Sequence, residues 1–563
     1  MPGARPVAPR AARGPGAWAP VAQGPRTRAR ARPARWAPLL SLLLVAGCAA
    51  PGPFVLTHAG SCARAPFVAG VGSASFTPAA GYPLGGYGGG ARRAELPFYA
   101  GLGWPGRIAL WAHQAWHQDD PEGLSDMLAP SEGALEDIGA RALVLVPAGA
   151  PPLALVRIDA IGVPSELHDL VLTRLADLGY RKDTLVLAAT HTHSGPGAFF
   201  RAPLARLIAL DNYRPELEAR MADAIAQAVR EAHARARPAE LAFARARDRA
   251  PDGSTVLAKN RRARRFRGEI AYDAIDDEVE LLLVRERGGG APLGLLVNYA
   301  VHPTVFGADN LRYSRDVAGG VEEALARRVG APALFFNAAE GDVGPRALKE
   351  QEGLPRCREL GEAFAALVAP ALAGAAFHDQ LELRSAAGEK ELGAPRGVVA
   401  LGRERFLDGE ASWAAWPMEL VTLPLNLVLW VGGLTDVRVV LTWNLGLGVI
   451  AHLDGLTPRT RTRVGGVRLR AGDEDVALLT VPGEATHDEG LAMRAEARRR
   501  GATRTFIIGL AQDHTGYLAS RAEYRRGGYE AHSTLFGAGA AEQVRAAQRA
   551  VLDALGFADA PGR

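Results

Sequence analysis

Short apolar runs punctuate the chain: Thr184 to Ala189, Gly294 to Val301, Ala333 to Phe336, Val476 to Val481 and Thr505 to Leu510. Each has glycine or proline close by, the pattern expected of strands buried on both faces in a layered α/β protein. Leu217, Met221, Ile225 and Val229 instead recur at four-residue spacing after Pro215, and the stripe stops before Pro238. This predicts an amphipathic helix with proline at its start. A similar helix is predicted for about Ala540 to Leu555. No repeat of solenoid period is present, and the elements together predict an α/β fold, a mixed β-sheet core layered with α-helices.

Each apolar run gives way to polar residues. Thr184 to Ala189 leads into Thr190-His191-Thr192-His193-Ser194-Gly195-Pro196-Gly197, and Gly294 to Val301 ends at His302-Pro303. Ala333 to Phe336 ends in Asn337-Ala338-Ala339-Glu340-Gly341-Asp342, Val476 to Val481 leads to Pro482-Gly483-Glu484, and Thr505 to Leu510 leads toward His514 and Tyr517. Ligands of open α/β sheets bind outside the carboxyl ends of the strands, so these groups are expected to converge on one crevice, the predicted active site. An extended segment sends alternate side chains to one face, which would present His191 and His193 together. An isolated pair of this kind describes satisfied core histidines equally well. Two histidines and a glutamate from separate strand ends, however, match the His₂Glu set of a catalytic zinc site. Asp342 is placed to orient a ligand or the backbone, a role that a simple turn aspartate would mimic, and His487 and His514 lie close enough in sequence to Glu484 and Tyr517 to replace a ligand.

The fragments THTHSGPG at 190–197, NYAVHP at 298–303, GDVGP at 341–345, VPGE at 481–484, and Tyr517 and Tyr529 followed by STLFG at 533–537 together resemble the neutral ceramidases, zinc amidases that hydrolyse the N-acyl bond of ceramide. Gly70-Val71-Gly72 and the glycine-rich stretch from Gly81 to Gly88 resemble the start of their catalytic domain. The resemblance implies one zinc ion held by His191, His302, Glu484 and Tyr517, with His193 as acid/base group and Arg261 and Tyr529 beside the reacting carbonyl. Without it, Arg261 would read as part of a solvated basic run, Lys259 to Arg267. One position departs from the family. Where GDVGP carries Gly344, the ceramidases carry the serine usually assigned as nucleophile, and a glycine offers no hydroxyl. The expected reaction is therefore cleavage of the N-acyl amide of ceramide or a related lipid by metal-activated water, since zinc brings the pKa of bound water to roughly 7. The alternatives are a zinc hydrolase of a different amide or ester, and a lipid-binding envelope lipoprotein that has lost catalysis.

Residues 1–35 hold eight arginines and no acidic residue, and Trp36 to Gly47 form a short apolar stretch ending at Cys48. This reads as a secretory signal over residues 1–47, with Val45-Ala46-Gly47-Cys48 resembling a bacterial lipobox that lipidates Cys48. The expected location is the bacterial cell envelope, lipid-anchored at the periplasmic face or cell surface. The full chain carries 65 basic and 61 acidic residues; removing the eight arginines leaves 57 against 61, a net of −4, too little positive charge for nucleic acid to be expected as a partner. Of the three cysteines only Cys62 and Cys357 remain after Cys48, allowing at most one intramolecular disulfide. Residues 48–65, rich in glycine, proline and alanine, are expected as a linker, and 66–563 as one catalytic domain without the immunoglobulin-like domain that usually comes after it. Within it, 413–450 gathers Trp413, Trp416, Trp430 and Trp443 around the apolar stretch Leu420 to Leu434, either a lipid-facing lip or core. Pro424, Asn426 and Gly432-Gly433 argue against a membrane span.

Overall fold

The computed structural model describes residues 51–88, 92, 124–202, 205–346, 353–393, 395–399, 415–417, 438–444, 448–454 and 460–557. The predicted signal at 1–47 and the stretch from Leu420 to Leu434 lie outside the described residues. Among those described, no helix is long and apolar enough to cross a membrane.

A mixed twelve-stranded sheet organises the chain. Its main path runs Arg504–Ile508, Glu474–Thr480, Arg461–Ala471, Gln380–Glu391, Phe54–Ser75, Arg237–Arg247, Glu278–Glu286, Pro292–Tyr299 and Ala333–Asn337. A branch of Gly139–Pro147, Leu153–Ile158 and Leu185–Ala189 leaves from Phe54–Ser75. Most neighbours are antiparallel, but Leu153–Ile158 with Leu185–Ala189, Pro292–Tyr299 with Ala333–Asn337, and Glu474–Thr480 with Arg504–Ile508 are parallel. A separate four-stranded sheet joins Arg396–Val399, Gly448–Asp454, Arg438–Asn444 and Ala415–Pro417, so parts of the 413–450 segment are strand.

The expected linker at 48–65 is corrected from Phe54 onward. Phe54–Ser75 is a single strand of 22 residues, whose first half pairs with Gln380–Glu391 and whose second half pairs with Gly139–Pro147. Composition misled here because the hydrogen-bonding partner lies far along the sequence, Phe54 opposite Lys390, and strand formation depends on such neighbours more than on intrinsic preference. Cys62 in this strand and Cys357 are both free thiols.

Alternation along the strands sorts the core. Leu143, Leu241, Leu282, Leu296, Leu383, Val467 and Leu478 belong to one shared inner cluster. Their neighbours on the opposite face meet helices: Ala142 and Val144 meet Pro215–Ala234, Leu281 and Val297 meet Asp316–Val329 and Leu354–Val368, and Val464 and Leu479 meet Ala540–Ala554. The two predicted helices therefore form where expected, with Pro215 in the first turn and Leu217, Met221, Ile225 and Val229 buried. Gly70 and Gly72 explain themselves against the first of these helices. A Cβ on them would lie 2.2 Å from the carbonyl oxygen of Ala232 and 2.3 Å from that of Ala228, so only glycine lets helix and strand approach this closely.

Candidate metal centre

Each parallel strand pair delivers polar groups at its carboxyl end. Leu185–Ala189 ends before His191, Pro292–Tyr299 before His302, Ala333–Asn337 before Glu340 and Asp342, Glu474–Thr480 before Glu484, and Arg504–Ile508 before His514 and Tyr517. Asn337 ties the first two loops together. Its buried side-chain amide donates to the carbonyl of Thr190 at 2.9 Å and to that of Val301 at 2.8 Å, and its Oδ1 accepts from Val301 N at 3.1 Å. Glu484 and Tyr517 are opposite one another in a short parallel pairing of Glu484–Ala485 with Tyr517–Leu518.

The four residues expected as ligands converge. His191 Nε2 lies 3.1 Å from His302 Nε2 and 3.3 Å from Glu484 Oε2, and His302 Nε2 lies 3.4 Å from the same carboxylate oxygen. Tyr517 Oη is 3.4 Å from His302 Nε2. His191 and His302 are fully enclosed, and Glu484 and Tyr517 are almost so. The ring orientation is fixed from behind, because His191 Nδ1 faces the carbonyl oxygen of Ile161 at 2.6 Å and His302 Nδ1 that of Glu340 at 2.9 Å. A carbonyl can only accept, so each Nδ1 carries a proton, and in that tautomer Nε2 turns its lone pair toward the other ring. Burial, Arg261 and His191 push His302 down to about 3, so its ring is neutral near pH 7. Burial raises the Glu484 carboxyl, but its contacts with His191 and His302 outweigh that and hold it well below the usual carboxylate range.

Two lone pairs and a carboxylate oxygen facing one another repel unless a positive charge lies among them. Donors bound tetrahedrally at 2.0–2.2 Å sit roughly 3.3–3.5 Å apart, close to the 3.1, 3.3 and 3.4 Å found here. The residues fit a divalent cation.

His193 is half-buried and close to both rings, 5.0 Å from His191 and 5.6 Å from His302 between centroids. Neither of its ring nitrogens has a hydrogen-bond partner among the described residues. The alternation expected of His191 and His193 is corrected. The strand ends at Ala189 and His191 sits at φ 70°, so a left-handed kink rather than extended backbone brings the two imidazoles together.

Arg261 precedes a short turn of helix, Arg262–Arg264, and donates through Nη2 to the carbonyl of Gly341 at 2.6 Å and to Tyr517 Oη at 3.2 Å. It is thus part of the cluster and not of a solvated face. Tyr529 sits at the rim, 60% exposed, with its ring 5.3 Å from that of Tyr517. Asp342 is fully buried, accepts from Arg261 N through its backbone carbonyl at 2.7 Å, and meets His487 Nδ1 at 2.6 Å. His487 is therefore a partner of Asp342, whereas His514 Nε2 approaches Glu484 Oε1 to 3.8 Å. Gly344 lies on Val343–Pro345, with the stem of Arg261 against it.

Sequence reasoning missed two members. Tyr87 places its ring 4.6 Å from that of His193. Glu340 is fully enclosed, and its carboxylate lies within 4.8 Å of ligand atoms of both His191 and Glu484. The signal for Glu340 was its place after the strand Ala333–Asn337, beside the aspartate that was noticed. Above the cluster opens a cavity of about 580 Å³ whose wall includes Ile161, Phe200, Leu210, Leu535 and Phe536, together with His191, His193, Glu484, Tyr517 and Tyr529. Its size suits a medium-sized organic ligand, and its wall is mostly apolar.

Fold and cluster together define a mixed-sheet α/β protein with a candidate metal centre at strand carboxyl ends beneath an apolar cavity. Residues 122–393, a little under half of the chain, match the family described as neutral/alkaline non-lysosomal ceramidase, N-terminal. It is 26% identical to the neutral ceramidase of Pseudomonas aeruginosa over 507 residues, 79% of this chain and 70% of that protein. It is 28% identical to the neutral ceramidase of Mycobacterium tuberculosis over 198 residues and 26% identical to neutral ceramidase B of Dictyostelium discoideum over 239 residues. Those two alignments span 30% and 32% of the relatives' own lengths. The crystal structure of the Pseudomonas aeruginosa neutral ceramidase shares the fold, with a TM-score of 0.61 at 21% identity over 88% of this chain and 74% of that one. A ceramidase complexed with C2 matches likewise, with a TM-score of 0.62 at 20% identity.

Proposed function

We propose that this chain is a zinc-dependent amidohydrolase that cleaves the N-acyl amide of ceramide or a related lipid, with water as the nucleophile. The observation that carries the reading is the donor set of His191 Nε2, His302 Nε2 and Glu484 Oε2, spaced at 3.1–3.4 Å at the base of an apolar cavity. His191, His302, Glu484 and Tyr517 would hold one zinc ion, which when bound polarises an acyl carbonyl and supplies hydroxide near neutral pH. The apolar wall formed by Ile161, Phe200, Leu210 and Phe536 takes up hydrocarbon and excludes water from it. Arg261 and Tyr517, already hydrogen-bonded to each other at 3.2 Å, present donors to the oxygen on which negative charge develops. His193, with unpartnered ring nitrogens and held neutral by burial, would take the proton released by the attacking water and pass it to the amine nitrogen as the carbon–nitrogen bond breaks. Tyr529 closes the rim over the reacting group.

The nucleophile in this reading is water because Gly344 has no hydroxyl to offer. Gly344 also favours a second reading, in which the same centre acts on a different amide or on an ester. The sequence from Trp36 to Cys48 supports a lipid anchor at Cys48 that would hold the enzyme at the envelope membrane, beside an amphiphilic substrate. The test is release of fatty acid from acyl-labelled ceramide by the purified protein, before and after a chelator and after zinc is restored, with metal content measured in parallel. Zinc-dependent release supports the first reading. Bound zinc with hydrolysis of other amides or esters but not of ceramide supports the second, and turnover that survives complete metal removal refutes both.

A further inference from the structure

Glu340 is the one fully enclosed carboxylate in the cluster whose two oxygens both lack a hydrogen-bond partner among the described residues. Other buried acids nearby are compensated. Asp342 accepts from His487 and Asn260, Glu523 accepts from Arg262 and Thr486, and Asp316 accepts from the backbone of Val305 and Phe306. A carboxyl removed from water without donors either keeps its proton, the direction in which burial and Glu484 push Glu340, or ionises against a cation that faces it. Glu340 lies where a cation would be: ligand atoms of His191, Glu340 and Glu484 are all within 4.8 Å of one another. Its own carbonyl oxygen receives His302 Nδ1 at 2.9 Å, so one residue both orients an imidazole and turns its carboxylate toward the ring of His191. Gly509 leaves room for the carboxylate, since a Cβ there would come within 3.0 Å of Glu340 Oε2.

Building on the zinc reading above, we infer that Glu340 supplies a second carboxylate to the metal centre. Two carboxylates beside two neutral imidazoles then balance the charge of a divalent ion, and Glu340 helps to hold it in place. This role needs a carboxylate, not merely a side chain of that shape, so the isosteric amide separates it from packing.

The experiment uses the full chain stripped of metal with a chelator and titrated with Zn²⁺ against a chromophoric competitor, alongside thermal midpoints with and without Zn²⁺. Glu340→Gln is expected to weaken Zn²⁺ binding about 10- to 100-fold, the range found when groups supporting a metal site are removed. Without metal, Glu340→Gln should melt no lower than wild type, because it leaves shape intact and removes a buried carboxylate next to Glu484. With Zn²⁺ it should melt below wild type. Glu340→Asp keeps the charge, withdraws it by one methylene, and should bind Zn²⁺ between the two. Wild-type Zn²⁺ affinity in Glu340→Gln, or an equal drop in its midpoint with and without metal, overturns the inference while leaving the zinc reading standing. A wild-type protein that binds no Zn²⁺ overturns both.

Discussion

Gly344 sits where the resemblance places a serine, and restoring that residue is the sharpest test of how this site works. A Cβ at 344 would lie 2.9 Å from Arg261 Cγ and 3.0 Å from Cδ, whereas carbon atoms in contact stay about 3.5–4.0 Å apart. The atoms that must yield are the middle of the arginine stem, so its guanidinium is displaced by roughly 0.5–1 Å. That shift removes the 3.2 Å hydrogen bond to Tyr517 Oη and stretches the 2.6 Å bond to the Gly341 carbonyl. Overpacking of this kind costs about 1–3 kcal/mol of stability, and loss of a charge-stabilising donor costs up to about 10²–10³ in turnover. Gly344→Ser is therefore expected to lower fatty acid release from ceramide about 10- to 100-fold, and Gly344→Ala by the same factor, because both introduce the same Cβ. The assay is initial-rate release of labelled fatty acid by zinc-loaded enzyme, with thermal midpoints to separate unfolding from lost turnover. In an Arg261→Ala background either substitution should cost little more, since the clashing stem is gone. A Gly344→Ser enzyme faster than wild type, with Gly344→Ala slower, would refute the reasoning by showing that the hydroxyl itself is used.

Replacing His191 or His302 by alanine, or Glu484 by glutamine, should abolish stoichiometric zinc in elemental analysis and lower turnover more than about 100-fold, beyond what loss of an outer partner does. The Asp342–His487 pair should make stability depend on pH. Burial opposes the His487 charge, but Asp342 at 2.6 Å outweighs it and holds the imidazole at about 9, above its unfolded value near 6.5. Its contribution, on the order of 3 kcal/mol, is fully present below pH 6.5 and disappears as pH rises through about 9; denaturant midpoints should fall over that window in wild type and stay flat in His487→Gln. Gly70→Ala, whose Cβ would meet the Ala232 carbonyl at 2.2 Å, should lower the thermal midpoint by an amount equivalent to about 1–3 kcal/mol without changing zinc content.

The layered fold was legible because periodicity reports burial directly. The Pro215–Ala234 helix follows from its four-residue stripe, and every polar group chosen after an apolar run does come after a strand of the sheet. The convergence of His191 and His193 was anticipated for the wrong reason, since a residue at positive φ outside any strand is not visible in an apolar pattern. The first half of the strand Phe54–Ser75, up to residue 65, read as linker because its pairing partner is more than three hundred residues away. Glu340 escaped because a carboxylate gains meaning only from its surroundings, and its neighbours His191 and Glu484 come from distant strands. Arg261 was identified through resemblance alone, and its contacts with Gly341 and Tyr517 supply the physical reason.

The order in which the chain supplies its donors has a practical consequence. The histidines lie in the first part and Glu484 and Tyr517 near the end, joined only when the Glu474–Thr480 and Arg504–Ile508 strands are in place. A protein cut after residue 393, where the family match stops, would keep both imidazoles and Glu340 yet lose Glu484 and Tyr517. If the centre holds zinc as proposed, full-strength retention of the ion would report completed folding, because the complete donor set exists only once almost all of the sequence has been made.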